Sequence, residues 1–308
     1  MKISNKRVKL FTGCVISNRL PFLEKSARLV FEKLGFQLED MPFTCCPDPV
    51  GVAAISEKTW LTFAARNLCL GEKDNTEIMS LCNGCTETLL TAKQKLKNDK
   101  RKLEETKEIL KKKGYEYNGK AKVSHFVKVL FEDVGVKKIK KIVEDTWVGD
   151  KENFNPIKNL KIATHPGCHY NQPSEILKWD NPNDPQYLEK LIEAIGGIPL
   201  KYEEKTLCCG SAVCRTKRDS AYEISRRKYQ GVMDVKAQLI AVNCPSCFQT
   251  LESNQRKVNK IYEKNYKIPI FYITELIALA FGYNLDELGL KFHTVGKEME
   301  FLKSLNKK

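Results

Sequence analysis

Glu77-Ile78-Met79-Ser80-Leu81-Cys82-Asn83-Gly84-Cys85-Thr86 is an apolar run that ends in a C-x-x-C turn and opens into a helical pattern. Gln238-Leu239-Ile240-Ala241-Val242-Asn243-Cys244-Pro245-Ser246-Cys247 repeats that grammar in the second half of the chain. A short apolar segment bounded by a turn reads as a buried strand, and the pattern after it as a helix. Upstream of each C-x-x-C stands an adjacent pair, Cys45-Cys46 and Cys208-Cys209, and upstream of each pair a single thiol, Cys14 and Cys168. The gaps are 30 and 35 residues in the first copy and 39 and 34 in the second. Five cysteines in one order with such close gaps, twice, point to a duplicated site and hence to a duplicated fold.

The rest of each copy fits. Residues 8–11 form an apolar run ending at Thr12-Gly13-Cys14, residues 23–34 a helix stopped by Gly35, and residues 36–39 a short strand. Residues 60–70 place Leu61, Ala64, Ala65 and Leu68 on one helical face. In the second copy a strand at 160–163 leads to His165-Pro166-Gly167-Cys168, a helix at 187–195 is closed by Gly196-Gly197, and a strand at 199–202 precedes Cys208. Strands alternating with helices predict an α/β fold: two similar, pseudo-symmetric Rossmann-like domains with mainly parallel sheets, 1–150 and 151–308, joined through the polar segment 145–159. In such sheets ligands gather beyond the carboxyl ends of the strands, where the single cysteines and both C-x-x-C turns fall.

A chain of 308 residues has room for two cores of ordinary size, so the thiols are not needed as staples. A disulfide framework is opposed by the polar start of the chain and by the tight C-x-x-C and C-C spacings, which suit a shared metal. No apolar run reaches membrane-spanning length; the longest, 270–281, is interrupted by Thr274 and Glu275. These features predict a cytoplasmic protein with reduced thiols. The net charge is +14, concentrated at 93–113 and 137–141. Such runs read as a solvated, lysine-coated helix, with steering of an anionic substrate or acidic partner as the functional alternative. No aromatic-basic pattern indicates nucleic acid.

Thiolate is a soft ligand that favours zinc, copper(I) or iron–sulfur clusters. Structural zinc closes at four ligands, and ordinary clusters also take four, so a fifth cysteine indicates an unusual cluster or an exchanging ligand. Two purely structural zinc sites are the competing reading. Adjacent side chains diverge, so a vicinal pair suits two irons of one larger cluster better than one ion. Cys69, on an apolar helix, reads as an inert buried thiol, and Cys214, five residues after the second pair, as a bystander, with an alternative ligand as its other reading. His169, beside Cys168, is a candidate proton donor, with a hydrogen bond to cluster sulfur as its quieter role. His165 and His293 are weaker candidates, and His125 reads as structural.

The arrangement C…CC…C-x-x-C, twice, resembles the CCG-domain family. The stretches Thr12-Gly13-Cys14, Cys45-Cys46-Pro47, Thr59-Trp60-Leu61-Thr62-Phe63-Ala64-Ala65-Arg66-Asn67-Leu68-Cys69, Cys82-Asn83-Gly84-Cys85, Gly167-Cys168-His169, Cys208-Cys209-Gly210 and Cys244-Pro245-Ser246-Cys247 resemble the B subunits of the heterodisulfide reductases of methanogenic archaea. The resemblance implies a noncubane [4Fe–4S] cluster in each repeat, one on Cys14, Cys45, Cys46, Cys82 and Cys85 and one on Cys168, Cys208, Cys209, Cys244 and Cys247. It implies reduction of the disulfide between coenzyme M and coenzyme B in a shared cavity. It also implies two partners in a heterodisulfide reductase complex, an iron–sulfur C subunit and a flavin-bearing A subunit; this chain has no C-x₂-C-x₂-C-x₃-C run for an ordinary relay cluster. One departure is Ser211-Ala212-Val213-Cys214-Arg215, where the family typically has a glycine-rich run and an Arg. Bulkier side chains there leave the identity of the disulfide open, and paralogues in sulfur-oxidising organisms act on other sulfur compounds.

Overall fold

A computed structural model describes residues 6–148 and 155–295. The first sheet comprises β1 (Lys6–Phe11), β2 (Phe36–Asp40), β3 (Glu77–Ser80) and β4 (Val123–His125). The second comprises β5 (Lys161–His165), β6 (Ile198–Leu200), β7 (Leu239–Val242) and β8 (Ile270–Tyr272). The sheets have the orders β2-β1-β3-β4 and β6-β5-β7-β8, and every pairing is parallel. The two orders superpose term for term, so the fold is the expected pair of similar Rossmann-like α/β units. The strand order reverses between β1 and β3, and again between β5 and β7. Ligands bind beside such a switch point, beyond the carboxyl ends of the strands.

Burial on both faces explains the apolar runs. Val8, Leu10 and Phe11 of β1 and all of β7 are buried, as parallel strands covered by helices require. The helix Pro21–Lys33 starts on a proline at its first position and packs Phe22, Leu23, Ala27, Val30 and Phe31 inward. Helices Glu57–Glu72 and Arg218–Asp234 occupy equivalent places before β3 and β7.

Two strands were not visible in the sequence. β4 has only three residues, too few for a pattern to register. β8 runs directly into the helix Ile273–Ala280, every residue of which is buried, so the 270–281 stretch is apolar without a period. That helix is buried because it lies between the halves: it packs on Pro21–Lys33, and Ser26 Oγ lies 2.7 Å from Thr274 Oγ1. The lysine-rich segment is two helices rather than one long one. Asn83–Asn98 ends at Asp99, whose carboxylate accepts from the Lys102 N–H and caps Lys100–Lys111.

The halves share one continuous apolar core. Polar ties reinforce it: Trp147 Nε1 donates to Ala280 O at 2.8 Å, and Asn83 Nδ2 to Pro166 O at 2.7 Å. The middle of the expected linker, 149–154, lies outside the described residues, as do the first five residues and the tail from 296. Asn155, at the linker's far edge, is buried and donates to Ile195 O at 2.7 Å. Among the described residues no helix is long and apolar enough to cross a membrane.

Candidate metal centre

Each pentad is assembled at a switch point. Cys14 follows β1, and Cys82 is the N-cap of the helix Asn83–Asn98 that follows β3. Cys168 follows β5, and Cys244 is the N-cap of the helix Pro245–Tyr262 after β7. The two N-caps have nearly the same backbone, φ −140° and ψ 131° for Cys82, φ −134° and ψ 126° for Cys244. Helix N-termini present unbonded N–H groups that favour negative charge, which suits a thiolate.

Sulfur contacts join Cys14 to Cys45, Cys45 to Cys46, Cys46 to Cys85 and Cys85 to Cys82. The same sequence joins Cys168, Cys208, Cys209, Cys247 and Cys244. Cys82 and Cys244 touch each other, so ten thiols form one unbroken string with its midpoint between the halves. Cys14 Sγ and Cys45 Sγ are 3.7 Å apart. Cys69 and Cys214 stand outside the string. Burial pushes the Cys69 thiol up to about 12, as befits an inert core thiol.

Packing this close fixes two glycines. Gly13 (φ +69°) and Gly167 (φ +78°) each precede the single cysteine of a pentad. A Cβ on Gly13 would lie 2.7 Å from Cys85 Sγ, and one on Gly167 would lie 3.2 Å from Cys247 Sγ and 2.8 Å from Asn83 Nδ2.

The donor set fits a multinuclear metal group. Cys46, Cys208 and Cys244 are pulled below the ordinary thiol range, Cys46 by Cys45 and then Cys85, Cys208 by Cys168 and then Cys209, Cys244 by Cys247 and then Cys82. Cys14, Cys82, Cys85, Cys168, Cys209 and Cys247 are raised, each chiefly by the neighbouring sulfur it serves. Thiolates crowded this closely repel one another, and bound cations remove that repulsion. Buried polar atoms near the strand ends make no hydrogen bond to the protein: both ring nitrogens of His165, both amide atoms of Asn243, and Asn83 Oδ1. Asn83 and Asn243 adjoin Cys82 and Cys244 in sequence. His165 lies with Cys209 and Cys247 in a group whose ligand atoms are within 4.8 Å of one another. Such orphans are costly unless a ligand satisfies them.

A cavity of about 90 Å³ opens onto the string. Asp48, Cys82, Asn83 and Gly84 line it from one half, and Cys168, His169, Cys208, Cys209, Cys244 and Cys247 from the other. Ser211, Ala212 and Arg215 also line it. Arg215 pairs with Asp48 across the two halves. A larger groove of about 670 Å³, between Lys95, Lys102, Glu175 and Lys178, contains no thiol.

The histidines separate clearly. His169 lines the cavity, with Nδ1 3.9 Å from Oε2 of the buried Glu87 of the other half. Burial raises the Glu87 carboxyl. Sequence reasoning missed Glu87; its place two residues after Cys85 was the available signal. His165 is not in the cavity wall but behind the second pentad, and burial takes it down to about 3. His125 ends β4, buried, its Nδ1 accepting from the Val127 N–H at 3.2 Å. His293 sits in the core, 2.9 Å from Glu275 and 3.9 Å from Glu252.

The comparisons with known proteins agree with this geometry. The CCG family, described as a cysteine-rich domain, matches residues 8–90 and 162–252. The chain is 32% identical, over 96% of its length and 96% of the relative's, to the B subunit of the ferredoxin/F(420)H(2)-dependent CoB-CoM heterodisulfide reductase of Methanosarcina acetivorans. It is 32% identical to a heterodisulfide reductase B-subunit-like protein of Archaeoglobus profundus, over 91% of this chain and 92% of that one. It is 26% identical to the 8-methylmenaquinol:fumarate reductase membrane anchor subunit of Wolinella succinogenes, over 94% and 97%. Among solved structures, a hypothetical protein from Helicobacter pylori has the same fold, with TM-score 0.70 and 19% identity over 95% of this chain and 53% of that one. The chain therefore belongs to the CCG family of cysteine-rich domain proteins, carries that domain twice, and is similar along nearly its whole length to the B subunits of heterodisulfide reductases.

Proposed function

We propose that this chain is the disulfide-reducing subunit of a heterodisulfide-reductase-type complex, an oxidoreductase of the cytoplasm. In this reading residues 1–150 and 151–308 are its two cysteine-rich domains. Cys14, Cys45, Cys46, Cys82 and Cys85 hold one noncubane [4Fe–4S] cluster, and Cys168, Cys208, Cys209, Cys244 and Cys247 hold the other. The observation that carries the reading is the thiol string, five and five, meeting at Cys82 and Cys244 under one cavity. Bound there, two such clusters would supply one electron each and an iron for each sulfur of the substrate.

The chain's own residues have separate tasks. The strand ends and helix N-termini orient the thiols. Asp48 and Arg215, one from each half, pair across the cavity wall and join the two halves there. His169, facing the cavity and backed by Glu87, gives a proton to a departing thiolate. A disulfide takes up two electrons and two protons to become two thiols. The substrate class is a mixed disulfide such as that of coenzyme M and coenzyme B. The electrons come from partner chains, an iron–sulfur C subunit and a flavin-bearing A subunit. With a reduced viologen as donor, the purified chain is expected to reduce at least one member of a panel of small mixed disulfides. Lack of turnover with every member, in protein that accepts electrons, would refute the catalytic assignment.

The Wolinella relative favours a second reading, in which the paired centre only conducts electrons within a quinol-linked reductase. Under that reading the reduced chain passes its electrons to a partner protein and none to a free disulfide.

A further inference from the structure

The internal symmetry provides its own control, because residues around one pentad have counterparts around the other. Phe11 and His165 end the equivalent strands β1 and β5, each three residues before a pentad's first cysteine. Arg66 and Lys228 hold equivalent places, each six residues before the end of its helix. Both cations bind backbone in the segment leading to a cysteine pair: Arg66 donates to Pro42 O, and Lys228 to Glu204 O and Lys205 O.

There the equivalence stops. The Arg66 guanidinium is only partly buried and turns to the Tyr115 hydroxyl, with contacts of 2.8 and 3.1 Å. Lys228 is 0% exposed. Among the described residues no carboxylate lies within ion-pair distance of its Nζ; its other neighbour is the Tyr202 ring, 5.4 Å away. The negative charges acting most strongly on it are Cys209 and Cys247, followed by Glu204 and Cys208. A buried ammonium without a carboxylate needs a counter-ion, and the second pentad is the one at hand. On the same side His165 is fully buried, and one of its ring nitrogens lies within 4.8 Å of Cys209 Sγ and Cys247 Sγ. On the first side Phe11 stands in that place, packed on Phe43 at 4.8 Å.

We infer that Lys228, assisted by a hydrogen bond from His165, makes the second-half centre the easier of the two to reduce, so that the paired sites are electrically unequal. The inference rests on the two-cluster reading above. A fixed positive charge and an added donor to sulfur stabilise the more negative, reduced state, and they do so strongly in a buried site. The first electron delivered to the chain therefore rests on the Cys168–Cys247 side, and the second on the Cys14–Cys85 side. This gives an otherwise symmetric pair an order of filling.

The test is a redox titration of the full-length, anaerobically purified protein with dithionite, one electron per centre, followed by electron paramagnetic resonance. Native protein is expected to show two separate one-electron waves. Lys228→Met, which keeps length and removes charge, is expected to move the upper wave down by at least a tenfold change in its reduction constant, about 59 mV. The lower wave should stay in place. His165→Phe, which installs the residue of the other half, should move the same wave in the same direction, and Arg66→Met should move neither. If Lys228→Met fails to fold, His165→Phe alone decides. Full iron content with both waves unmoved, or a shift of the lower wave instead, overturns the inference. A native chain that binds no iron overturns the two-cluster reading itself, and the iron assay separates the two failures.

Discussion

Replacing Gly13 with alanine isolates the steric constraint at the heart of the first pentad. Two costs arise at this position. The first is conformational: φ is +69°, and an L-residue in the left-handed region costs about 1–2 kcal/mol. The second is a collision: the new Cβ would lie 2.7 Å from Cys85 Sγ, about 1 Å inside an ordinary van der Waals contact. Cys85 is buried and follows the fixed helix start, so its sulfur moves by a large part of that overlap. Metal–ligand distances tolerate only about 0.2 Å. Gly13→Ala is therefore expected to lose the first cluster and keep the second, taking iron from about eight atoms per chain to about four. Gly114 is the control. Its φ is +76°, but a Cβ added there would meet nothing within 4 Å, so Gly114→Ala has the backbone cost alone. It should lower stability by about 1 kcal/mol and the melting temperature by about 2–4 °C, with iron content unchanged. Iron and sulfide assays beside thermal melts of both variants decide. Equal iron in the two variants, whether full or depleted, would refute the reasoning.

Three other expectations follow from particular contacts. His169→Gln should lower disulfide turnover by about 10²-fold or more while leaving iron content and the visible spectrum unchanged, as steady-state kinetics beside spectroscopy will reveal. Asn83→Ala removes the bond to Pro166 O across the halves and should cost about 1–3 kcal/mol in urea unfolding, since the carbonyl is left buried. Lys9, only 1% exposed, pulls the Asp74 carboxyl down to about 2 from 3.8. A depressed carboxylate stabilises fully above its unfolded pKa, and that share is lost as pH falls from about 4 through about 2. Because Asp74 is 36% exposed, solvent screening reduces the share to about 1 kcal/mol, measurable as a flattened acid limb in Asp74→Asn.

The pentads and six of the eight strands were legible: β1, β3, β5 and β7 are apolar runs that end within three residues of a cysteine, and β2 and β6 follow helices stopped by glycine. β4 and the buried helix Ile273–Ala280 were not, one for shortness and the other because its burial on every side erases the helical period. Asp99 looked like one more charge in a lysine-rich stretch, yet its cap divides that stretch into two helices. The pairing of His169 with Glu87, and of Arg215 with Asp48, joins residues from opposite halves, which only the packing of the halves brings together. Lys228 was hidden for another reason. Among so many surface lysines, nothing local marks the one whose ammonium is turned inward.

The central claim is that ten cysteines hold two iron–sulfur clusters. Iron, acid-labile sulfide and zinc should be measured together in the native chain, purified without oxygen. The account requires about eight irons and a comparable amount of sulfide per chain, with no stoichiometric zinc. Zinc without iron, or metal-free protein with its pentad thiols oxidised in pairs, would contradict it.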